Sequence, residues 1–497
     1  MQRSRDPEFT TTRHAMETDT QSTLAPGTFN PLLAEVTNFL IKLRRPSEHH
    51  DEEPDKKHRC VRTFYSCQDL NLLSLPPRYT TLRVNLSRKT INEAQILVTE
   101  EMKKQFEGHS YVPAVYPHHT LCDLLVVETR GAQKVTPAKK EVVVGKMCGS
   151  AVLRGAEVYA PGVLGVMPGV LVGETVAVYV DLDDKCLRGS KGFNGRKMFI
   201  GNGIALQARK DIFTKVKPSG IAVSMKEQIF DCPSLGSFHQ DFFFLQNLPS
   251  VLCSHILRPS KHAVVLDMCA APGGKSTHIA SLMNGTGSVI AIDRSQNKIN
   301  QITENADRLG LKNIIAIKYD STKLLEEEKP NVKGIIPEDT RPNENSLDCL
   351  RPPYKLASFN WILLDAPCSA LGQRPQLQTK ANVKEIQSFP VIQRKLLSNG
   401  IKLFALGGTL VYSTCTIVPE ENEEMVKWVL DNFADIKLVD AQPKLGLPGL
   451  PNCGLNEEQC KKVQRFGPSF MVNSPLENNV DCDTIGFFIA AFSKIQI

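Results

Sequence analysis

No C-x-x-C pair occurs among the fourteen cysteines of the chain, which argues against zinc ribbons and related structural zinc sites. Cys60 with Cys67 and Cys453 with Cys460 repeat one spacing, but it fits no common metal pattern, and no metal is expected. Mostly free thiols in a reducing compartment are the simplest reading. No apolar run is long enough for a membrane span, and no stretch has the form of a secretory signal. No membrane partner is therefore expected, and a cytoplasmic location is. Excess charge is also scarce. Lys and Arg number 59 against 53 Asp and Glu, and the net charge of +6 permits a nucleic-acid partner without requiring one. Nothing suggests a self-complementary face, so a monomer is expected.

What the chain does have is length for two to four domains and enough apolar residues, 41%, for sizeable cores. One stretch organises it. Val264 to Asp267 reads as a strand, Met268 to Lys275 as a tight turn of small residues, and Ser276 to Met283 as a helix. Strand, glycine turn, helix is the opening unit of a doubly wound sheet. Asp293, after a second strand-like run, suits two ribose hydroxyls. The turn is not G-x-G-x-x-G, so a dinucleotide is not the first choice.

Residues 1–30 are polar and aperiodic and are expected to be a disordered leader. Residues 31–134 read as an α+β region, with helices near Leu33–Leu43, Leu70–Leu75 and Ile91–Phe106, a strand at Thr80–Asn85, and strand-like runs at Tyr111–Val115 and Leu121–Val127. A charged linker is expected at Pro46–His58. Residues 135–210 alternate short β runs with glycine turns, the signature of a small β-barrel, with Ala151–Leu153 among the strands. Basic residues in its second half could track phosphates or form a solvated face. Residues 211–260 bridge back to complete the N-terminal region. Residues 261–497 alternate strands and helices, which predicts an α/β domain with a mainly parallel sheet. Lys323–Ala357 interrupts the rhythm as a long, mobile loop.

Ligand groups of such sheets gather at the carboxyl ends of the strands. Asp267, Asp293 and Asp320 follow the first three strands there. The fourth ends in Asp365-Ala-Pro-Cys368-Ser and the fifth in Ser413-Thr-Cys415-Thr. Four acids and two cysteines are thus expected on one rim.

Together, Asp267-Met-Cys-Ala-Ala-Pro-Gly-Gly-Lys275, Asp365-Ala-Pro-Cys368-Ser and Ser413-Thr-Cys415-Thr resemble the motifs of the Sun-type (NSUN) RNA (cytosine-5) methyltransferases. Arg83-Val-Asn85 resembles that family's upstream motif and Gly486–Ala490 its last strand. The stretch Ala151–Gly162 resembles a PUA domain, and its insertion points to the sixth NSUN subfamily, a tRNA methyltransferase. The fold so implied is a Rossmann-like S-adenosylmethionine methyltransferase core with an N-terminal α+β piece and an inserted PUA barrel. The implied reaction forms 5-methylcytosine in the acceptor stem, at tRNA position 72, through a covalent cysteine adduct. The resemblance makes Cys415 the nucleophile, Cys368 the residue that resolves the adduct, Asp365 the partner of the cytosine edge, and gives Lys275 a site role. It assigns cofactor contacts to Cys269, Ala270, Ala271, Pro272, Gly273, Gly274, Lys275, Asp293, Asp320 and Asp365. It gives Arg154, Tyr159, Arg188 and Arg209 to the CCA end of the tRNA. It departs at Leu187-Arg188, where relatives carry two lysines. A non-catalytic RNA-binding factor of the same fold, or the same chemistry on ribosomal or messenger RNA, are the competing readings.

Overall fold

The computed structural model describes residues 23–24, 30–42, 65, 70–214, 216–326, 350–379, 381–468 and 480–496. The expected linker at 46–58 and most of the loop at 323–357 lie outside the described residues. Within the stretch expected to be disordered, β1 (Thr23–Leu24) pairs in parallel with Lys197 and Met198, which corrects that part of the expectation. Helix α1 (Ala34–Lys42) buries Val36 and Leu40 in a cluster with Leu70, Leu73, Leu371 and Ile417. The helix expected at Leu70–Leu75 is mainly a short 3-10 turn, Leu72–Ser74. Pro76 disfavours the helical backbone for Leu75, which is extended. Strands β2 (Tyr79–Val84), β3 (Ala114–Pro117) and β4 (Leu124–Glu128) form an antiparallel sheet with α2 (Ile91–Gln105) against it. Thr90 and Glu93 close a reciprocal cap at the start of α2, and its Ala94, Val98 and Met102 fill the interface.

The inserted region is a second sheet. It contains β5 (Glu141–Val144), β6 (Val158–Tyr159), β7 (Val163–Val166), β8 (Thr175–Asp181), β9 (Lys197–Ala205) and β10 (Ile221–Gln228), ordered β6-β10-β9-β8-β5-β7, with β1 on β9. Two expectations are corrected here. Ala151–Leu153 is not a strand: Ala151 and Val152 end helix α3 (Lys146–Val152), and three residues are too few for periodicity to separate the two. The sheet also runs past residue 210, because β10 pairs with β9 and β6. A short helix, α4 (Arg209–Phe213), lies in the β9–β10 connection. Val142, Val144, Val178, Val180, Met198 and Ile200 are among the residues of a separate core.

Of residues 211–260, expected to complete the N-terminal region, β10 belongs to the inserted sheet and β11 (Phe243–Leu245) pairs with β2 in the N-terminal sheet. Helix α5 (Leu248–Leu257) then leads to the large sheet. Its elements are β12 (Val264–Asp267), α6 (Gly274–Leu282), β13 (Ser288–Asp293), α7 (Gln296–Leu309), β14 (Ile314–Lys318), β15 (Phe359–Asp365), α8 (Val383–Leu403), β16 (Phe404–Thr414), α9 (Glu423–Asn432), β17 (Ile436–Val439), α10 (Glu457–Lys462), β18 (Gln464–Phe466) and β19 (Phe487–Lys494). The order is β14-β13-β12-β15-β16-β19-β17, with β18 also on β19. The strands from β12 to β16 are parallel and β19 is antiparallel. Their Val-, Ile- and Leu-rich runs are buried on both faces, as a sheet covered by helices requires. The chain steps outward from β12 to β14, then returns to lay β15 on the other side of β12. That reversal opens a crevice at the carboxyl ends of β12 and β15.

Asp123 ties the N-terminal sheet to this domain. One oxygen lies 2.8 Å from Nε2 of His255 on α5 and the other 2.6 Å from Nε2 of His278 on α6. Burial pushes the His278 imidazole down to about 4. Among the described residues no helix is long and apolar enough to cross a membrane, and the described cysteines are free thiols.

Candidate active site

The turn after β12 fixes the crevice floor. Gly273 has φ of +101° and precedes the first residue of α6. A Cβ there would stand 3.2 Å from the backbone of Ile302, so both the conformation and the packing call for glycine. Gly274 at the start of α6 packs near Phe244 and Gln246 of the N-terminal region. A pocket of about 480 Å³ opens at the crevice, lined by Cys269, Ala271, Asp293, Asp320, Asp365, Cys368 and Cys415. Met268, Arg294, Lys298, Ile392 and Leu396 add further walls, and none of them stood out in the sequence. Ala270, Pro272, Gly273, Gly274 and Lys275, expected as cofactor contacts, do not line it.

The expected rim of four acids is a rim of three. Asp267 is 1% exposed and lies beneath the pocket, accepting a 2.7 Å bond from Ser276 Oγ. Burial pushes its carboxyl up to about 7, against the lowering effect of its bond with Ser276. The alternation of the strand turns it inward, a direction that its position at the strand end concealed. Asp293 accepts N–H bonds from Ala271 and Arg294 and pairs with Lys298 at 3.3 Å. Asp320 is partly exposed. Burial works against its charge, but bonds from the Thr322 amide and hydroxyl hold its carboxyl below the usual range.

Lys275 reaches from α6 to Asp365 at the end of β15, with its Nζ 2.7 Å from Oδ2. Burial opposes its charge, but the charge and hydrogen bond of Asp365, together with Cys253 and Cys415, raise its pKa on balance. The other Asp365 oxygen accepts from Ser413 Oγ at 2.7 Å, and Asp365 stands in register with Ser413 on β16. The same pairing of β15 and β16 brings the two cysteine turns together. Sγ of Cys368 lies 3.4 Å from Sγ of Cys415. The Cys415 thiol is lowered chiefly by the hydrogen bond from Cys368, helped by one from Gln373 and by the charge of Lys275. Cys368 is raised far above the usual thiol range by the same bond, by burial, and by the charges of Cys415 and Glu421. The turn has little room: Gly372 donates to the Cys415 carbonyl, and a Cβ on it would meet the Gly486 carbonyl at 2.0 Å.

The residues expected to meet RNA divide into two pairs. Arg154 and Tyr159 line a second cleft, about 620 Å³, between the inserted sheet, the N-terminal sheet and Arg374. Tyr159 is 52% exposed, and the Arg154 guanidinium makes no hydrogen bond among the described residues. Arg188 instead donates to the carbonyls of Pro161, Val163 and Ile212, and Arg209 to those of Val166, Ser190 and Gly189. These two staple loops together.

Glu421 was also missed. It is fully buried beside both cysteine turns, yet Pro419-Glu-Glu-Asn-Glu423 reads in sequence as a solvated acidic helix start.

Residues 254–492 match the family model described as 16S rRNA methyltransferase RsmB/F. The chain is 42% identical over 445 residues to the human tRNA (cytosine(72)-C(5))-methyltransferase NSUN6, covering 86% of this chain and 91% of that protein. It is 32% identical over 528 residues to the Arabidopsis thaliana rRNA (cytosine-C(5))-methyltransferase NOP2C, covering 85% and 86% of the two. The crystal structure of NSun6 from Pyrococcus horikoshii with SFG, an S-adenosylmethionine analogue, superposes with a TM-score of 0.65 at 31% identity, covering 86% of this chain and 94% of that one.

Proposed function

We propose that this chain, which belongs to the Sun-type family of RNA (cytosine-5) methyltransferases, methylates carbon-5 of a cytosine in the tRNA acceptor stem, at position 72 as in the human relative. The single observation that carries the chemistry is the 3.4 Å approach of two unequal thiols beside the Lys275–Asp365 pair. Carbon-5 of cytosine is too weak a nucleophile to take a methyl group directly. Addition of the Cys415 thiolate to carbon-6 makes carbon-5 enamine-like, splitting one hard step into easier ones. Asp365, held by Lys275 and Ser413, is placed to hydrogen-bond the N3/N4 edge of the base and steady the charge that develops there.

S-adenosylmethionine supplies the methyl group from its sulfonium. The pocket fits it: Asp293 would hold the ribose hydroxyls and Asp320 the adenine amine, while Cys269 and Ala271 would face the methionine part. Once carbon-5 is methylated, its proton must leave before the C6–S bond can break. Cys368 is the candidate to take that proton. Two causes of its raised pKa, the hydrogen bond to Cys415 and the Cys415 charge, vanish when Cys415 is bound to carbon. Cys368 then releases its own proton to solvent through the open pocket, and its thiolate takes the carbon-5 proton. Loss of the proton expels the Cys415 thiolate and restores the aromatic ring.

The inserted sheet is proposed to be a PUA domain that holds the single-stranded CCA end. Arg154, without a hydrogen bond among the described residues, offers a cation for phosphate and Tyr159 an exposed ring for a base. A target near the end of the stem leaves the stack at a cost of a few kcal/mol. The rRNA relative makes ribosomal RNA the second substrate to test. The test is transfer of a labelled methyl from S-adenosylmethionine to tRNA and to ribosomal RNA transcripts, with nucleoside mass spectrometry. 5-Methylcytosine in tRNA supports the reading. Product in ribosomal RNA alone would replace the substrate, and no product in either would leave a binding factor.

A further inference from the structure

We propose that Glu421 is the positioning residue that makes the two active-site thiols unequal, by locking their turns together and placing its carboxylate beside Cys368. This rests on the reading of Cys415 as nucleophile and deepens it, because nothing in the motif itself says why one cysteine attacks and the other donates.

Glu421 is 0% exposed and reaches both turns. Its Oε2 accepts from the Ser369 amide at 3.0 Å and from Gln393 Nε2 at 2.9 Å, and its Oε1 accepts from Ser369 Oγ at 2.5 Å. Ser369 Oγ lies 2.7 Å from Thr416 Oγ1. Ser369 follows Cys368 and Thr416 follows Cys415, so one carboxylate spans both cysteine turns. The Gln393 amide extends the link to the Pro367 carbonyl at 2.9 Å, and the Glu421 carbonyl accepts from Tyr412 on β16 at 2.7 Å. Burial raises the Glu421 carboxyl, while the bonds that both of its oxygens accept from Ser369 and Gln393 favour the ionised form.

The electrostatics follow from this placement. The charged groups acting on the thiol pair are Asp365, Lys275 and Glu421. Asp365 raises the Cys415 thiol and Lys275 lowers it, so these two oppose each other there. Glu421 acts on Cys368 and raises it. Glu421 thereby favours the proton on Cys368, leaving Cys415 the lower of the two thiols across the 3.4 Å Sγ–Sγ contact. A cysteine so placed is a good donor before the adduct forms and a strong base after it.

The test is alkylation of the full-length protein without RNA. Iodoacetamide is applied near about pH 8, and peptide mass spectrometry gives separate rates for Cys415 and Cys368. The wild type is expected to react first at Cys415. In Glu421→Gln the Cys415-to-Cys368 rate ratio is expected to fall about tenfold, one unit of thiol pKa, through faster reaction at Cys368. Glu421→Asp should recover part of the ratio. A purely structural role would lower the melting temperature and leave the ratio in place. An unchanged ratio in folded Glu421→Gln overturns the proposal. Should that variant not fold, Glu421→Asp, whose shorter carboxylate stands farther from Ser369, is expected to lower the ratio in the same direction by less, and an unchanged ratio there overturns it too. Wild-type protein reacting first at Cys368 would instead remove the nucleophile assignment on which the proposal stands.

Discussion

Lys275 Nζ and Asp365 Oδ2 lie 2.7 Å apart across the top of the sheet, and this pair is where the glycine turn and the first cysteine turn meet. A lysine at a helix start is electrostatically awkward, since the helix dipole is positive there. The Asp365 carboxylate removes the conflict, and Lys275 in turn aligns that carboxylate toward the pocket. Lys275→Met is expected to reduce methyl transfer on the order of a hundredfold or more, as loss of a charge-stabilising group does. Single-turnover kinetics check this, and near-normal rates would leave the pair a structural one.

Cys415→Ala is expected to abolish methylation with tRNA binding nearly intact. Cys368→Ala is expected to retain addition and block resolution, leaving a covalent protein–RNA adduct on a denaturing gel. An adduct trapped by Cys415→Ala would reverse the two roles.

Asp267 links the site to stability. Its carboxyl is pushed up to about 7 in the fold by burial, against about 4 in an unfolded chain. The neutral form is the one the fold prefers. The stability this group contributes is full below about pH 4 and is lost as pH rises through about 7. Asp267→Asn keeps the shape and removes the titration. Its melting temperature relative to wild type is therefore expected to rise between about pH 5 and pH 8, an effect of up to about 4 kcal/mol. A difference that does not change with pH would contradict the burial argument.

The arginines of the inserted sheet should separate by function. Arg154→Ala with Tyr159→Ala is expected to weaken tRNA binding at least tenfold without changing S-adenosylmethionine affinity, the scale of one stacked base and a phosphate contact. Arg188→Ala and Arg209→Ala are expected to lower the melting temperature first, because their guanidinium groups hold loop carbonyls. Filter binding and thermal melts on the same preparations distinguish the two classes.

Much of the core was legible because its strands are apolar runs with polar turn motifs at their ends. Asp293, Asp320, Asp365, Cys368 and Cys415 were placed on the correct rim by strand position alone. Inward turning of Asp267 was not, since one residue of register decides which face a side chain takes. The short helix at Lys146–Val152 was concealed by weak periodicity, and β10 by the polar second half of Ile221–Gln228. Glu421 was hidden because a buried carboxylate and a solvated one look alike until their partners are known.

The most direct measurement is bisulfite sequencing of a tRNA transcript incubated with the protein and S-adenosylmethionine, beside a transcript lacking its CCA end. The expected result is one newly protected cytosine in the acceptor stem, lost when the CCA end is removed. No protected cytosine in any tRNA would contradict the proposed substrate, and protection that survives removal of the CCA end would contradict the role given to the inserted sheet.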